Sequence, residues 1–356
     1  MDSPHAQQRP PAGQDEGCAR ALAGQDRPLA GHDKPLAGME AVVLAAGFGE
    51  RLRPLSLTRP KCLFPVLNRP LLEVCLEWLA GLGVVRARIN AHYLTRQVEA
   101  WLGEARLPLP VELSCERASI LGTGGGIRQA ARSFTSTFVV ANADCIIRGA
   151  GVAEALSLHR EARALATLLL QDEGSARNIT VLSGRLSSLR GRPEGAGGEA
   201  AGFTGFHLIE PDLLERIPEG FSDIIEVYLS CLAAGEPLCG HVSRGHYFRD
   251  VGTPATYLAL HLDILNGNLG AAAGLLPPGA SPEGGVLLAE GVVRGEGCRL
   301  GPAVVAGRGV KFGAGSSVRE SVIWEGAEVG AGVELERCVV GQGVRVTRSA
   351  SGEVLV

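Results

Sequence analysis

Between residues 40 and 265, short apolar runs rich in Val, Ile and Leu alternate with stretches whose apolar positions recur every three to four residues. That alternation predicts βα units around a mostly parallel, Rossmann-like sheet flanked by helices, an α/β class. Strands are predicted at 40–46, 86–91, 111–115, 137–142 and 165–171, then at 203–209 and 238–251 after a Gly-rich stretch at 191–202. Helices are predicted at 71–82, 95–105, 124–133, 151–162, 222–234 and 254–266, with Thr95 as a helix cap.

The texture changes beyond a linker rich in Gly, Ala and Pro at 267–285. Val304, Ser321 and Cys338 each open a similar run of five or six residues, one every 17 residues, and Phe312 and Val329 repeat at the same period. Apolar residues there step by six or five, through Phe312, Val318, Ile323, Val329, Leu335, Val340 and Val346. Such a step, with Gly at the corners, points one small apolar side chain inward on each face of a three-sided coil. The pattern therefore predicts a β-helix of about three and a half turns over 286–348, within a domain of 286–356. At the other end, residues 1–38 hold no aromatic, five Pro and five Gly, and echo every seven residues at Leu22, Leu29 and Leu36. They are expected to form a disordered extension before a domain of 39–266. Met39 stands just before the first strand, so it is either a natural start or simply follows a translated extension.

The bulk chemistry narrows the partners. With 34 Lys and Arg against 38 Asp and Glu, the net charge of −4 provides no basic field for nucleic acid. The nine cysteines form no Cys-x-x-Cys pair and no zinc-like spacing, so reduced thiols are expected. No apolar run approaches the ~18 residues of a membrane span, which predicts a soluble, cytoplasmic protein with no membrane partner.

The chemistry concentrates in residues 44–70, which read LAAGFGERLRPLSLTRPKCLFPVLNRP. Gly47 and Gly49 allow a backbone to approach phosphate closely, and the nearby Arg and Lys side chains neutralise it. The loop is neither a P-loop nor a dinucleotide fingerprint, since Leu52 and Ile127 stand where a third glycine would be needed. Three more motifs follow in order: LGTGGG from Leu121, FVVANAD from Phe138 and DVGTPATY from Asp250. Together they resemble the signature of the sugar-1-phosphate nucleotidyltransferases, the nucleotide-sugar pyrophosphorylases. The tail resembles the left-handed β-helix that many members carry, mannose-1-phosphate guanylyltransferases among them.

The resemblance implies Mg²⁺-dependent transfer from a nucleoside triphosphate to a sugar 1-phosphate, with release of pyrophosphate. It implies that Arg51 holds the β and γ phosphates, that Lys61 contacts the α and acceptor phosphates, and that Asp144 and Asp250 bind Mg²⁺. Leu44, Ala45, Ala46, Gly47 and Gly49, with Gly122, Thr123 and Gly124, would embrace base and ribose, while Thr204, Gly205 and Arg192 would face the sugar. A homo-oligomer through the β-helix is a further implication. Several departures bear on the acceptor. Ala143 stands in N-A-D where N-G-D is usual, Cys62 replaces a Pro, and Arg192 stands where the family has a Lys. Phe203-Thr204-Gly205, with Ile89-Asn90, is instead similar to N-acetylmuramate-1-phosphate uridylyltransferases. Two other readings remain. A β-helix acyltransferase is disfavoured because all eight histidines lie at or before 261, and a catalytically silent homologue is disfavoured by retention of Arg51, Lys61, Asp144 and Asp250. His92, His207, His241 and His246 read as ordinary strand residues, and Trp78 and Trp101 as core.

Overall fold

A computed structural model describes residues 34–117, 119–174, 177–267, 275–277, 280 and 282–356. In chain order the first elements are β1 (Glu40–Leu44), the hairpin strands β2 (Pro65–Val66) and β3 (Arg69–Pro70), α1 (Leu71–Gly81), β4 (Arg86–Ala91), α2 (Thr95–Glu104) and β5 (Val111–Cys115). There follow α3 (Gly122–Ala131), β6 (Phe138–Asn142), β7 (Cys145–Arg148), α4 (Val152–Glu161), β8 (Ala166–Gln171), β9 (Ile179–Leu182) and β10 (Arg185–Leu189). The α/β part closes with β11 (Glu199–Ile209), α5 (Ile224–Ala233), β12 (Leu238–Ser243), β13 (Tyr247–Asp250) and α6 (Pro254–Leu265).

Nine of these strands form one sheet in the order β5-β4-β1-β6-β11-β8-β12-β10-β9. Pairing is parallel from β5 through β6 and between β8 and β12, while β11, β10 and β9 run antiparallel to their neighbours. Successive residues of β1 point to opposite faces, so Val43 packs with α1, α2 and α4, and Val42 packs with α3 and α5. Burial on both faces explains why β1 reads as an unbroken apolar run.

Several expectations change in detail. The strand expected over 238–251 is two: Gly245, at φ 65, turns the chain out of the large sheet, and β13 pairs with β7 instead. The β9–β10 hairpin and β7 were not expected. Ser183 and Gly184 take the positive φ values that a two-residue hairpin turn requires. Thr95 is no acceptor cap; its hydroxyl donates back to His92 O at 2.6 Å. Most of the predicted extension, residues 1–33, lies outside the described residues. The expected boundary at 38 moves, because Leu36 is buried against α1 and its N–H donates to Leu82 O at 2.9 Å. Much of the predicted linker also lies outside the described residues, and Leu275 within it is buried.

The tail winds into the predicted coil, with strands in parallel register consistent with the left-handed β-helix. One sheet stacks Val286–Leu288, Val304–Ala306, Ser321–Ile323, Val339–Val340 and Val354–Leu355, so the coil runs on beyond 348. Inside it lie Val304, Ala306, Phe312, Val318, Ile323, Val329, Leu335, Val340 and Val346, which include every stepped residue of the sequence pattern. The intervening Val305, Val322 and Val339 point outward and join Leu52, Leu55, Phe64 and Tyr257 in a shared core. The coil is therefore apolar on both sides of the sheet that docks onto the α/β part.

His207 and His261 are completely buried in neutral form. Burial pushes His207 down to about 3 and His261 down to about 4. Their folded values lie below the unfolded ~6.5, so only the unfolded chain gains protons as the pH falls from 6.5. This stabilising contribution is present above pH 6.5 and is lost progressively down to the folded values, at roughly 3 kcal/mol for His261 alone. The urea midpoint is expected to drop markedly between pH 7 and 4.5, and a midpoint equal at both pH values would refute the assignment.

Candidate active site

The strand order reverses at β1, with β4 on one side and β6 on the other. Chains leaving the C-terminal ends of β1 and β6 therefore diverge and leave a crevice between them. The loop after β1 is built from three single 3₁₀ turns, at Glu50–Leu52, Leu55–Leu57 and Lys61–Leu63. Buried Leu52, Leu55 and Phe64 anchor it, while Arg51 stays largely exposed. Gly49 takes φ 63 and receives the Ser56 hydroxyl on its carbonyl at 2.8 Å, which folds the loop tightly enough to bring Lys61 beside Gly49.

Asp144 lies two residues beyond the end of β6. Antiparallel pairing of β7 with β13 sets Asp250 opposite Cys145, and Val251 N–H donates to Asp144 O at 3.0 Å. Ligand atoms of Asp144, Cys145 and Asp250 lie within 4.8 Å of one another, the one such grouping of three among the described residues. Lys61 pairs with Asp144 and lies 3.8 Å from Asp250, and Arg51 also stands 3.8 Å from Asp250. Burial first, and then the charge of Asp144, push the Asp250 carboxyl above its ordinary value, while Lys61 and Arg51 pull it back. The Cys145 thiol is held well above its usual range by burial and the two carboxylates, so it is a neutral neighbour. Cys145 adjoins Asp144 in sequence, but its place beside Asp250 as well was missed because only the β7–β13 register brings those two together. Gly252 lies close under both side chains, since a Cβ there would be 2.6 Å from Asp250 Oδ2 and 2.7 Å from Arg51 Nη2 and would displace their ends.

On the opposite side of the crevice, Ala45 N–H donates to Asn90 Oδ1, and Asn90 Nδ2 donates to Glu116 Oε1, each at 2.7 Å. Glu116 is buried, and its second oxygen accepts from Leu121 N–H at 2.7 Å. This carboxylate therefore ties the ends of β1 and β4 to the start of α3, with each of its oxygens accepting from the chain. The glycines of LGTGGG close onto the chain as well. A Cβ on Gly122 or Gly124 would lie within 2.5 Å of Ser222, and Thr123 Oγ1 accepts from Ile224 N–H at 2.9 Å. Their absent side chains are thus required by packing against 220–224. Ala46 is buried, whereas a Cβ on Gly47 would meet nothing within 4 Å, so the protein itself does not demand that glycine.

A Cβ on Gly126 would lie 2.4 Å from Asn90 Nδ2 and 2.8 Å from Glu116 Oε1. Gly126→Ala is expected to break this buried network at a cost of about 1–3 kcal/mol in stability. Unchanged thermal stability would show that the network relaxes around the methyl.

The residues expected to face the sugar behave differently from one another. Thr204 is fully buried, and its hydroxyl donates to Leu169 O at 2.7 Å, so it braces a bulge in β11. Gly205, at φ 79 in that bulge, packs directly on Asn142, two residues before Asp144. Arg192 pairs with Glu226 on α5 at 2.5 Å, and no observed contact joins it to the carboxylate pair. At the mouth, exposed Phe48 packs edge-on against His92 and Tyr93, with centroids 5.6 Å away in each case. No helix among the described residues is long and apolar enough to cross a membrane.

The α/β part shares its fold with solved structures. The inositol-1-phosphate CTP transferase from T. maritima superimposes with a TM-score of 0.54, covering 63% of this chain and 96% of that one, at 16% identity. Residues 40–267 match the nucleotidyl transferase family model, and the chain belongs to that family. A mannose-1-phosphate guanylyltransferase from Mycobacterium tuberculosis is 32% identical over 310 residues, covering 84% of this chain and 83% of that protein. An N-acetylmuramate alpha-1-phosphate uridylyltransferase from Caulobacter vibrioides is 33% identical over 229 residues, covering 62% of this chain and 94% of that protein. The chain is thus a nucleotidyltransferase enzyme.

Proposed function

We propose that the chain transfers a guanylyl group from GTP to mannose 1-phosphate, using Mg²⁺ and releasing pyrophosphate. One observation carries the choice of substrates. Similarity to the Mycobacterium tuberculosis guanylyltransferase reaches over 84% of the chain, and so extends past the α/β part into the coil. The donor set fits Mg²⁺, which prefers carboxylate oxygens and retains waters, and Asp144 and Asp250 offer such oxygens side by side. When bound there, Mg²⁺ supplies charge neutralisation for the triphosphate.

The chain's own residues then divide the remaining work. Lys61, now paired with the carboxylates, turns to the α-phosphate and the incoming sugar phosphate. Arg51, exposed at the rim, meets the departing pyrophosphate. The acceptor oxygen attacks the α-phosphorus in line as the bond to the bridging oxygen breaks, and its electrons leave with pyrophosphate. No side chain needs to form a covalent bond, so catalysis is positioning and electrostatics. The open space above Gly47 supports close approach of the triphosphate to the backbone of Leu44 to Gly49, and the α3 start at Gly122, Thr123 and Gly124 lines the far side. The Thr204 hydroxyl is engaged by the chain, so sugar contact in this region is assigned to the backbone at Gly205. Arg192 joins only by leaving Glu226.

A panel of four nucleoside triphosphates against mannose, glucose, N-acetylglucosamine and N-acetylmuramate 1-phosphates, read by pyrophosphate release, tests the assignment. GTP with mannose 1-phosphate is the expected best pair. Preference for UTP with N-acetylmuramate 1-phosphate would replace it, and no release with any pair would remove it. Association of copies through the coil is a separate expectation, read by sedimentation. The exposed coil surface carries ion-pair ladders such as Lys311–Glu328–Arg345.

A further inference from the structure

We infer that Arg59, held by the coil, is a positioning residue for Lys61, so that the C-terminal coil sets the geometry of the transfer site. The Arg59 guanidinium lies 4.8 Å from the centroid of the Trp324 ring. It also forms an ion pair with Glu325 and donates to Gln342 Oε1 at 2.8 Å. Only 16% of its side chain is exposed, so three partners on the coil hold a partly desolvated cation.

The same tryptophan grips the chain again just beyond Lys61. Its ring packs edge-on against Phe64 with centroids 4.9 Å away, and its Nε1–H donates to Tyr257 OH at 3.0 Å. Tyr257 OH in turn donates to Pro65 O. Lys61 therefore lies between two anchors, Arg59 and Phe64–Pro65, that converge on Trp324. The intervening chain has little freedom: Pro60 is extended at φ −65, and Lys61–Leu63 is a single 3₁₀ turn. Lys61 carries its ammonium from there to Asp144 and Asp250. Apolar packing of Phe64 on Trp324 would be enough for adhesion alone. Burying a charged Arg59 beside it costs desolvation, and what it adds is a directional contact that fixes register.

This inference rests on the proposed role of Lys61. A shift of about 1 Å in a group that aligns the reacting phosphates costs on the order of 100-fold in rate. Arg59→Met and Glu325→Gln are therefore expected to lower kcat by about 10–100-fold while KM for the triphosphate moves much less. Arg59→Lys keeps the charge without the fork and should recover part of the loss. Val346→Ala, which opens a cavity inside the coil away from Arg59, controls for general loosening; it should lower thermal stability and leave kcat near wild type. Wild-type kcat in Arg59→Met, or an equal loss in Val346→Ala, would overturn the inference. Full activity in Lys61→Ala would instead overturn the role of Lys61 itself, so the two failures are distinguishable.

Discussion

Asp250→Asn is expected to reduce pyrophosphate release by at least about 1,000-fold at saturating Mg²⁺ while leaving the protein folded and no less stable. The kinetic half follows from the site: the substitution removes one of two adjacent carboxylates that can share a divalent ion, and such charge stabilisation contributes several kcal/mol to a phosphoryl-type transfer. The stability half follows from the sign of the shift. The Asp250 carboxyl is raised above its ordinary value by burial and by Asp144, so the folded state prefers its neutral form. Its stabilising contribution is present below the ordinary carboxyl range and is lost as the pH rises through the folded value, which leaves the ionised group a net cost at pH 7. A neutral amide of the same shape removes that cost, and solvent at this half-exposed group keeps the gain small. Activity and melting temperature measured on one preparation decide the matter. Retained activity would take Asp250 out of the metal site, and a large fall in melting temperature would show that its charge holds the loop.

Trp324→Ala carries the largest stability effect expected from a single change, about 3–5 kcal/mol. The side chain is almost fully buried, and its ring joins Phe64, Tyr257 and the guanidinium of Arg59 across the boundary between the coil and the α/β part. Truncation leaves a cavity there and removes the indole N–H from which the Tyr257 hydroxyl oxygen accepts. Trp324→Phe preserves ring packing and loses one hydrogen bond, so it should cost about 1 kcal/mol. Urea unfolding of both variants is the measurement. A cost below 1 kcal/mol for Trp324→Ala would mean that the coil adheres through Val305, Val322 and Val339 without it.

Those three valines show how much of the fold was already written in the chain. They recur at the 17-residue period beside the inward-stepping set, so the docking face of the coil was present in the sequence as a second apolar row. The strands of the parallel half were equally legible, because burial on both faces leaves continuous apolar runs. The hairpin at 179–189 was harder to see, its alternation being short, and β7 was hidden because it continues directly from the Asp144 turn. Thr204 and Thr123 mark the limit of motif reading. Their residue types suit ligand contact, yet both hydroxyls are engaged by backbone groups brought close by β8 and α5.

Local sequence determined the periodicities and the glycine-bearing cationic loop, and the family resemblance of its motifs singled out the four charged residues Arg51, Lys61, Asp144 and Asp250. Pattern and residue type are properties of neighbours in sequence, so they can be read without coordinates. Only the tertiary structure decided that Asp250 stands opposite Cys145, that Glu116 braces Ala45 through Asn90, and that Arg59 reaches across to Trp324 and Glu325. Each of these joins residues far apart in sequence. Their meeting depends on strand register and on the packing of one core against another, neither of which any local stretch encodes by itself.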